Sequence, residues 1–366
     1  MPRIIQFGTS RFLQAHVDLF VHEARAAGQD IGPVTVVKTT AGAERSGRVR
    51  AFRDPAGFPV RIQGYRDRQV IDETVQVTSV DSAYDAATEW PAIAEHFARD
   101  AAVVVSNVGD RGYEIDLTDR ERPRSGPAAS FPAKLLQLLL YRHEAGGAPL
   151  LILPCELLPA NGTTLRGQIE ELSRYWKTAT AFADWLARRV VFADTLVDRI
   201  VAAAIEPLGA VAEPYALWAI RGAVPPLQHP AIVAASHIEP MERLKLHILN
   251  LGHTVLADIW QRGGRRDDET VRGLLADDQV RGGLLSLYAD EVVPGFAAHG
   301  MGAEAERYIT TTIDRFDNPF LAHRLSDIAQ NHAAKIERRI ANFITWAEVA
   351  DSRIELPRLS LIAGSR

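Results

Sequence analysis

Arg3-Ile4-Ile5-Gln6-Phe7-Gly8-Thr9-Ser10-Arg11-Phe12 is the stretch on which the fold turns. A short β-branched apolar run ends in a glycine, and an amphipathic pattern then runs from about Phe12 to Ala27. Strand, tight turn and helix in that order open a βαβ rhythm. Working outward, further candidate strands are Val34 to Lys38, Val60 to Gln63, Val75 to Val80, Val103 to Ser106, Leu150 to Pro154 and Val190 to Phe192. Helical patterns at about Trp90 to Ala98, Ala133 to Glu144 and Leu165 to Arg188 separate several of them, which predicts an α/β fold with a doubly wound, mostly parallel sheet covered on both faces. After about Pro240 the character changes. Met241 to Arg262, Asp268 to Leu275, Asp278 to Val292, Ala303 to Ile313 and His323 to Trp346 read as helices with few strands between them. The expected division is 1–230 for the sheet domain and 231–366 for a mostly helical C-terminal domain, linked through the proline-rich Gly222 to Pro230.

The 366 residues fit about two domains at roughly 150 residues each. Hydrophobic residues at 47% and charged residues at 24% match ordinary globular proteins, which excludes a disordered or fibrous chain. The formal charge of 41 − 46 = −5 has the wrong sign for a protein devoted to nucleic-acid phosphates, so no nucleic-acid partner is expected. Cys155 is the single cysteine, which excludes an internal disulfide and any cysteine-based metal cluster and fits a reducing compartment. No apolar stretch of signal-peptide length precedes Arg11 and no run reaches the ~20 residues of a membrane span. A cytoplasmic protein with no membrane partner, monomeric or a small homo-oligomer, is expected.

In a Rossmann-type unit the glycine after the first strand permits the tight turn, and the helix that follows presents free N–H groups to a pyrophosphate. Gly8 can fill the first role; Ser10 stands where a second glycine is usual, so a plain strand-to-helix turn is the competing reading. The second strand ends in Lys38-Thr39-Thr40, with no acid for the adenosine ribose. Lys38 could favour a ribose 2′-phosphate or bond a hydroxyl, which leaves NAD and NADP both open.

Residues 242–253, Glu-Arg-Leu-Lys-Leu-His-Ile-Leu-Asn-Leu-Gly-His, are the most informative chemically. At about 100° per residue from Lys245, Glu242 falls at about 60°, His253 at about 80° and Asn250 at about 140°, so four polar groups share one arc. Leu246, Leu249 and Leu256 lie within or beside that arc, which predicts partial burial. A partly buried lysine is a credible proton-transfer group, Asn250 can steady an oxyanion, His253 can orient lysine or substrate, and Glu242 can relay protons. The competing reading is a helix between domains with a surface Glu/Lys pair and a satisfied core histidine.

Several segments together resemble one family, the polyol-specific long-chain dehydrogenases/reductases that include mannitol 2-dehydrogenase, fructuronate reductase and tagaturonate reductase. Gly8-Thr9-Ser10-Arg11-Phe12-Leu13-Gln14-Ala15-His16 resembles its G-x-G-x-F-x-R-A-H opening, with Ser10 and Gln14 as departures. Val105-Ser106-Asn107 through Gly112 resembles S-N-T-T-E-x-G, with Val108-Gly109-Asp110 replacing Thr-Thr-Glu. Thr195-Leu196-Val197-Asp198-Arg199-Ile200-Val201 matches T-x-V-D-R-I-V, and Arg315-Phe316-Asp317-Asn318-Pro319 matches R-F-x-N-P. Lys245, Asn250 and His253 match the specific signature K-x4-N-x2-H, in which lysine is the catalytic base and no metal takes part. Leu153-Pro154-Cys155-Glu156-Leu157 followed by Asn161-Gly162 resembles the tagaturonate reductase (altronate oxidoreductase) branch most, as do Arg3 to Gly8 and Pro132-Ala133-Lys134-Leu135.

The resemblance implies an NAD(P)-dependent oxidoreductase that interconverts a tagaturonate-like keto acid and an altronate-like polyhydroxy acid. NAD is the expected cofactor, with NADP open. Gly8, Thr9, Ser10, Phe12, Lys38, Ser106 and Asn107 are the implied cofactor contacts. Lys245, Asn250, His253 and Glu242 are the implied catalytic set. Leu157 cannot supply the oxyanion contact that asparagine makes in mannitol dehydrogenases, which leaves Asn250 and Asn161 for it. Asp198, read as lying with Arg199 on a helix, is either half of a surface ion pair or a contact to substrate hydroxyls. Arg315 is a strut between domains or a carboxylate clamp, with His323 and Lys335 on the same wall. His16 is expected to cap or pack beside the cofactor turn, and a cleft between the domains to hold the substrate. A mannitol- or fructuronate-type activity and a catalytically silent dinucleotide-binding protein are the alternatives.

Overall fold

The computed structural model describes residues 1, 3–40, 46–109 and 112–364, and of Ser46 only the backbone. Its contacts divide it into two units, Met1–Ile62 with Glu73–Ile238, and Gln63–Asp72 with Glu239–Arg366.

The first unit is built on strands β1 (Arg3–Phe7), β2 (Val34–Lys38), β3 (Phe58–Arg66), β4 (Gln69–Val77), β5 (Val80–Asp85), β6 (Ala101–Ser106), β7 (Leu150–Pro154), β8 (Val190–Phe192), β9 (Thr195–Asp198), β10 (Val201–Ala204), β11 (Ala210–Ala212), β12 (Leu217–Arg221) and β13 (Ile232–Ala235). The tip of the β3–β4 hairpin belongs to the second unit. A six-stranded sheet has the order β5-β2-β1-β6-β7-β8, with every pair parallel. Counted along the chain within that sheet, the order is 3-2-1-4-5-6, the doubly wound arrangement of dinucleotide-binding folds. β1 and β2 are buried on both faces, as a parallel sheet covered by helices requires. Phe7, Phe97, Phe131 and the leucines of Phe131–Glu144 belong to one core with Trp185 and Leu186. The expected α/β architecture is present.

Particular expectations change. Val60 to Gln63 lies in β3, which belongs to a separate four-stranded sheet of order β10-β11-β3-β4 rather than to the parallel one. Val75 to Val80 is the end of β4 and the start of β5, divided at Thr78 and Ser79. The long pattern from Leu165 to Arg188 is two helices, Asn161–Tyr175 and Thr180–Arg189. Asp198 ends β9 and is buried, so it is neither helical nor half of a surface pair.

The second unit is helical around a core that includes Leu251, Leu256, Tyr288, Phe296, Phe316 and Phe343. Helix 239–262 contains a π-helical turn at Lys245–Asn250. The expected helix from Asp268 to Leu275 shrinks to Val271–Leu274, and that from His323 to Trp346 breaks into Leu325–Ile328, His332–Ile336, a π turn at Glu337–Ala341, and Asn342–Ala350. Asn331, with φ 55, interrupts the last of these patterns.

Candidate active site

In the first unit the chain order of the parallel sheet reverses between β1 and β6, and the crevice beyond such a reversal is where doubly wound folds bind ligands. Gly8 follows β1 with φ 118, and a Cβ there would stand 2.5 Å from the carbonyl oxygen of Asn107, which follows β6. Only glycine fits that close approach. Ser10 Oγ caps the helical stretch by accepting from Leu13 N at 3.2 Å and donates to Asn107 Oδ1 at 2.9 Å. Asn107 Nδ2 donates in turn to Cys155 O at 2.9 Å.

Above this turn lies a cavity of about 420 Å³ lined by Gly8, Thr9, Ser10, Arg11, Asn107 and Val108 on one side and by Thr39, Thr40 and Arg48 on another. Its described lining contains two arginines and no acid. A second cavity of about 610 Å³ shares Thr39, Thr40 and Val108 with the first and reaches Ser130, Phe131 and Lys134. A cationic crevice, floored by a glycine that cannot carry a Cβ, fits a pyrophosphate-bearing dinucleotide.

Among the expected cofactor contacts, Gly8, Thr9, Ser10 and Asn107 line the cavity. Lys38 does not: its ammonium is buried and pairs with Asp85 Oδ2 at 2.8 Å. Ser106 does not either; it is absent from the lining, and its hydroxyl donates to Glu156 Oε2 at 3.0 Å. Phe12 lies outside the lining, its ring stacked 4.7 Å from that of His16. Asp110 is outside the described residues. His16 is fully buried, its Nε2–H donating to Leu217 O at 3.2 Å, and burial drives its pKa down to about 3.

Sequence reasoning missed Glu156, whose buried carboxylate accepts from Ser106 Oγ, Val108 N and Tyr113 Oη at 3.0, 3.1 and 3.0 Å and so fixes the loop after β6. Burial raises its pKa while those donors pull it back. Arg48 and Lys134 were also missed as lining residues, because neither lies in a motif with regular spacing from Gly8. Asn161, expected at the oxyanion, is instead consumed by the main chain. Its amide nitrogen donates to Pro154 O, Glu156 O and Thr195 O at 3.2, 3.1 and 3.0 Å, and its oxygen accepts from Gly162 N and Thr195 N at 2.9 Å each. No capacity is left for a substrate, and Leu157 is 77% exposed.

In the second unit Lys245 opens the π turn and Asn250 closes it. Six residues in that wider turn make the even rotation assumed for a regular helix inapplicable across it. Glu242 and Lys245 are half-buried, and each has an interaction partner. The Asn250 side-chain amide has no hydrogen-bond partner among the described residues, while its main-chain carbonyl accepts from Thr254 Oγ1 at 2.9 Å. Gly252 is required because the Tyr288 hydroxyl occupies the place of a Cβ, and that hydroxyl donates to Ile248 O at 2.9 Å.

His253 is buried, its ring 4.6 Å from Phe316 and 4.7 Å, edge-on, from His323. No described residue hydrogen-bonds to its ring nitrogens or to those of His323. Burial, with the nearby charges of His323, Arg315, Arg339 and Lys335, lowers the His253 pKa well below the ordinary value. Burial lowers that of His323 too. Arg315 is buried near the end of Gly302–Phe316, and Asn318 Nδ2 donates to Gln63 O at 3.1 Å. Lys335 Nζ donates to Ile328 O at 2.6 Å. Arg339, which sequence reasoning did not single out, completes this cationic wall.

Among solved structures, D-sorbitol dehydrogenase in substrate-free form aligns with a TM-score of 0.82 at 18% identity, over 99% of this chain and 78% of that one. Pseudomonas fluorescens mannitol 2-dehydrogenase, in a ternary complex with NAD and D-mannitol, aligns with a TM-score of 0.71 at 19% identity, over 99% and 77%. These likenesses show the fold. In sequence, the altronate oxidoreductase of Halalkalibacterium halodurans is 29% identical over 92% of this chain and 69% of its own length, and that of Bacillus subtilis is 27% identical over 97% and 76%. The family described as mannitol dehydrogenase Rossmann domain matches residues 2–232, and the one described as mannitol dehydrogenase C-terminal domain matches residues 237–363. With both halves matched, the chain belongs to the mannitol dehydrogenase family of oxidoreductases, dehydrogenases that act on CH–OH groups.

Proposed function

We propose that the protein is an NAD-dependent oxidoreductase interconverting a tagaturonate-like keto sugar acid and its altronate-like polyhydroxy acid, with Lys245 as the acid/base. The observation that carries this reading is the surroundings of His253: a buried imidazole without an internal hydrogen-bond partner, close enough to Arg315, Lys335, Arg339 and His323 for their charges to act on it. Polar side chains with hydrogen-bonding capacity to spare beside a cationic wall suit a polyhydroxylated anion. The names of the altronate oxidoreductase relatives support the same substrate class.

Gly8, Thr9, Ser10 and Asn107 would hold the nicotinamide dinucleotide, which when bound would supply hydride for reduction or take it up in oxidation. Lys245 as ammonium gives a proton to the alkoxide oxygen that forms at the substrate carbonyl; as amine it takes the hydroxyl proton in the reverse direction. The free amide of Asn250 donates to the same oxygen. His253, kept neutral by burial and by the adjacent cations, bonds a substrate hydroxyl and orients the sugar chain. Arg315, with Lys335 beside it, holds the carboxylate. Glu242 passes the Lys245 proton to solvent.

The test is a panel of hexuronate-derived keto acids and neutral polyols, each assayed with reduced and oxidised NAD and NADP. The expected result is NADH oxidation with a keto acid at least about tenfold faster than with any neutral ketose, one charge-assisted contact being worth about 1.5–3 kcal/mol. Equal rates with neutral mannitol or fructose would move the assignment to a mannitol-type dehydrogenase, and dinucleotide binding without turnover would make the protein catalytically silent.

A further inference from the structure

We propose that Arg339 is a positioning residue that holds the π turn carrying Lys245 and Asn250, an inference that rests on the catalytic reading above. Two π turns are joined here, Lys245–Asn250 and Glu337–Ala341. A π turn interrupts the regular ladder of helical hydrogen bonds and recurs at functional sites. In the first of them side chains supplement the backbone. Tyr288 Oη donates to Ile248 O at 2.9 Å, and Thr254 Oγ1 donates to Asn250 O at 2.9 Å. Arg339 Nη1 donates to that same Asn250 carbonyl at 3.3 Å and to Thr254 Oγ1 at 3.1 Å.

The main chain closes the link from the other side, since His247 Nδ1–H, inside the first π turn, donates to Arg339 O at 3.0 Å. Arg339 is therefore bound to the turn through both its side chain and its carbonyl. Burial lowers the guanidinium pKa only to about 10, so it stays charged at neutral pH. A charged donor serving both Asn250 O and Thr254 Oγ1 sets where the backbone of Asn250 stands, and with it where the unpartnered amide points. Arg339 touches neither reacting atom in this scheme; it acts through Asn250.

The experiment compares wild type, Arg339→Lys and Arg339→Ala in steady-state keto-acid reduction, with and without millimolar guanidinium chloride, and in native-state amide exchange over residues 245–254. Arg339→Ala is expected to lower kcat about 100-fold, the effect of a misplacement near 1 Å. KM is expected to stay within about threefold, because an interaction expressed only in the transition state is lost. Added guanidinium is expected to restore at least about tenfold of kcat, Arg339→Lys to fall between, and NADH binding to be unchanged. Exchange of the 245–254 amides is expected to accelerate while protection of the parallel sheet holds. A kcat within about twofold of wild type, or a loss that tracks falling Tm and ignores guanidinium, overturns the proposal. So does unchanged exchange at 245–254. If wild type itself turns over no substrate, the functional reading has failed, and the exchange arm alone judges Arg339. If Arg339→Ala does not fold, Arg339→Lys carries both arms.

Discussion

Ser10 Oγ donates a 2.9 Å hydrogen bond to Asn107 Oδ1, and through it the turn after β1 is tied to the turn after β6. Asn107 passes the connection on to Cys155 O, just beyond β7. Three consecutive strand ends of the parallel sheet are thus cross-braced where the crevice opens. Serine in the place of the usual second glycine of this motif is therefore a brace as well as a helix cap, which explains how a departure from the glycine pattern can be accommodated at this turn.

Gly8→Ala tests that turn. With φ 118 and a Cβ 2.5 Å from Asn107 O, alanine must displace the β6 turn. The cost of a strained backbone position is about 1–3 kcal/mol. The expected outcome is a weaker dinucleotide site, at least about tenfold by nicotinamide fluorescence, together with a lower Tm, since about 1.4 kcal/mol already corresponds to a factor of ten.

Asn161→Ala separates a structural clamp from a substrate contact. The wild-type amide serves three carbonyls and two main-chain N–H groups, all buried. Removing it strands several of them, at about 1–3 kcal/mol for an unsatisfied buried group. Urea denaturation is expected to show a loss on the order of 3 kcal/mol, with KM for the keto acid nearly unchanged in the protein that remains folded. A raised KM at full stability would return Asn161 to the substrate site.

The parallel sheet was legible in the sequence because its strands, buried on both faces, read as continuous β-branched runs that end in turn residues, as Val34 to Lys38 and Leu150 to Pro154 do. The π turn at Lys245–Asn250 was not, since an extra residue in a helical turn leaves the apolar pattern almost intact and moves only what lies downstream. Lys38 and Asn161 were misplaced for a related reason. A motif fixes where a residue sits along the chain, whereas the groups that consume its polar atoms, Asp85 for Lys38 and Thr195 for Asn161, lie on other strands. Arg339 carried no signal because one of its partners, Asn250 O, is a main-chain atom and the other, Thr254 Oγ1, lies 85 residues away along the chain.

Lys245→Ala is expected to lower the hydride-transfer rate by about 10²- to 10⁴-fold, the usual contribution of a positioned acid or base. NADH binding is expected to remain, because the residues proposed to hold the dinucleotide belong to the other unit. Single-turnover absorbance at the nicotinamide band checks both. Retention of most of the rate would remove Lys245 from the mechanism.

Asp18→Asn probes a strain beneath the glycine turn. Asp18 is wholly buried, Gln6 Nε2 is 3.4 Å from its Oδ2, and Oδ1 has no partner, as is also true of Gln6 Oε1. Burial raises the Asp18 pKa from 3.8 to about 8, with the Gln6 hydrogen bond pulling the other way. At pH 7 the folded protein then holds this proton and the unfolded chain does not. A carboxyl with a raised folded pKa gives its full contribution to stability below pH 3.8 and loses it as pH rises to about 8. Asparagine has no proton to lose, so Asp18→Asn and wild type are expected to match near pH 4 and to diverge as pH rises. The variant gains up to about 1.4 kcal/mol per pH unit through that window and levels off above it, reaching on the order of 4 kcal/mol at pH 7. Urea midpoints of both proteins at several pH values between 4 and 9 measure the difference directly. A gap that stays constant with pH would mean that Asp18 is ionised in the native state, and Gln6 would then be its stabilising donor.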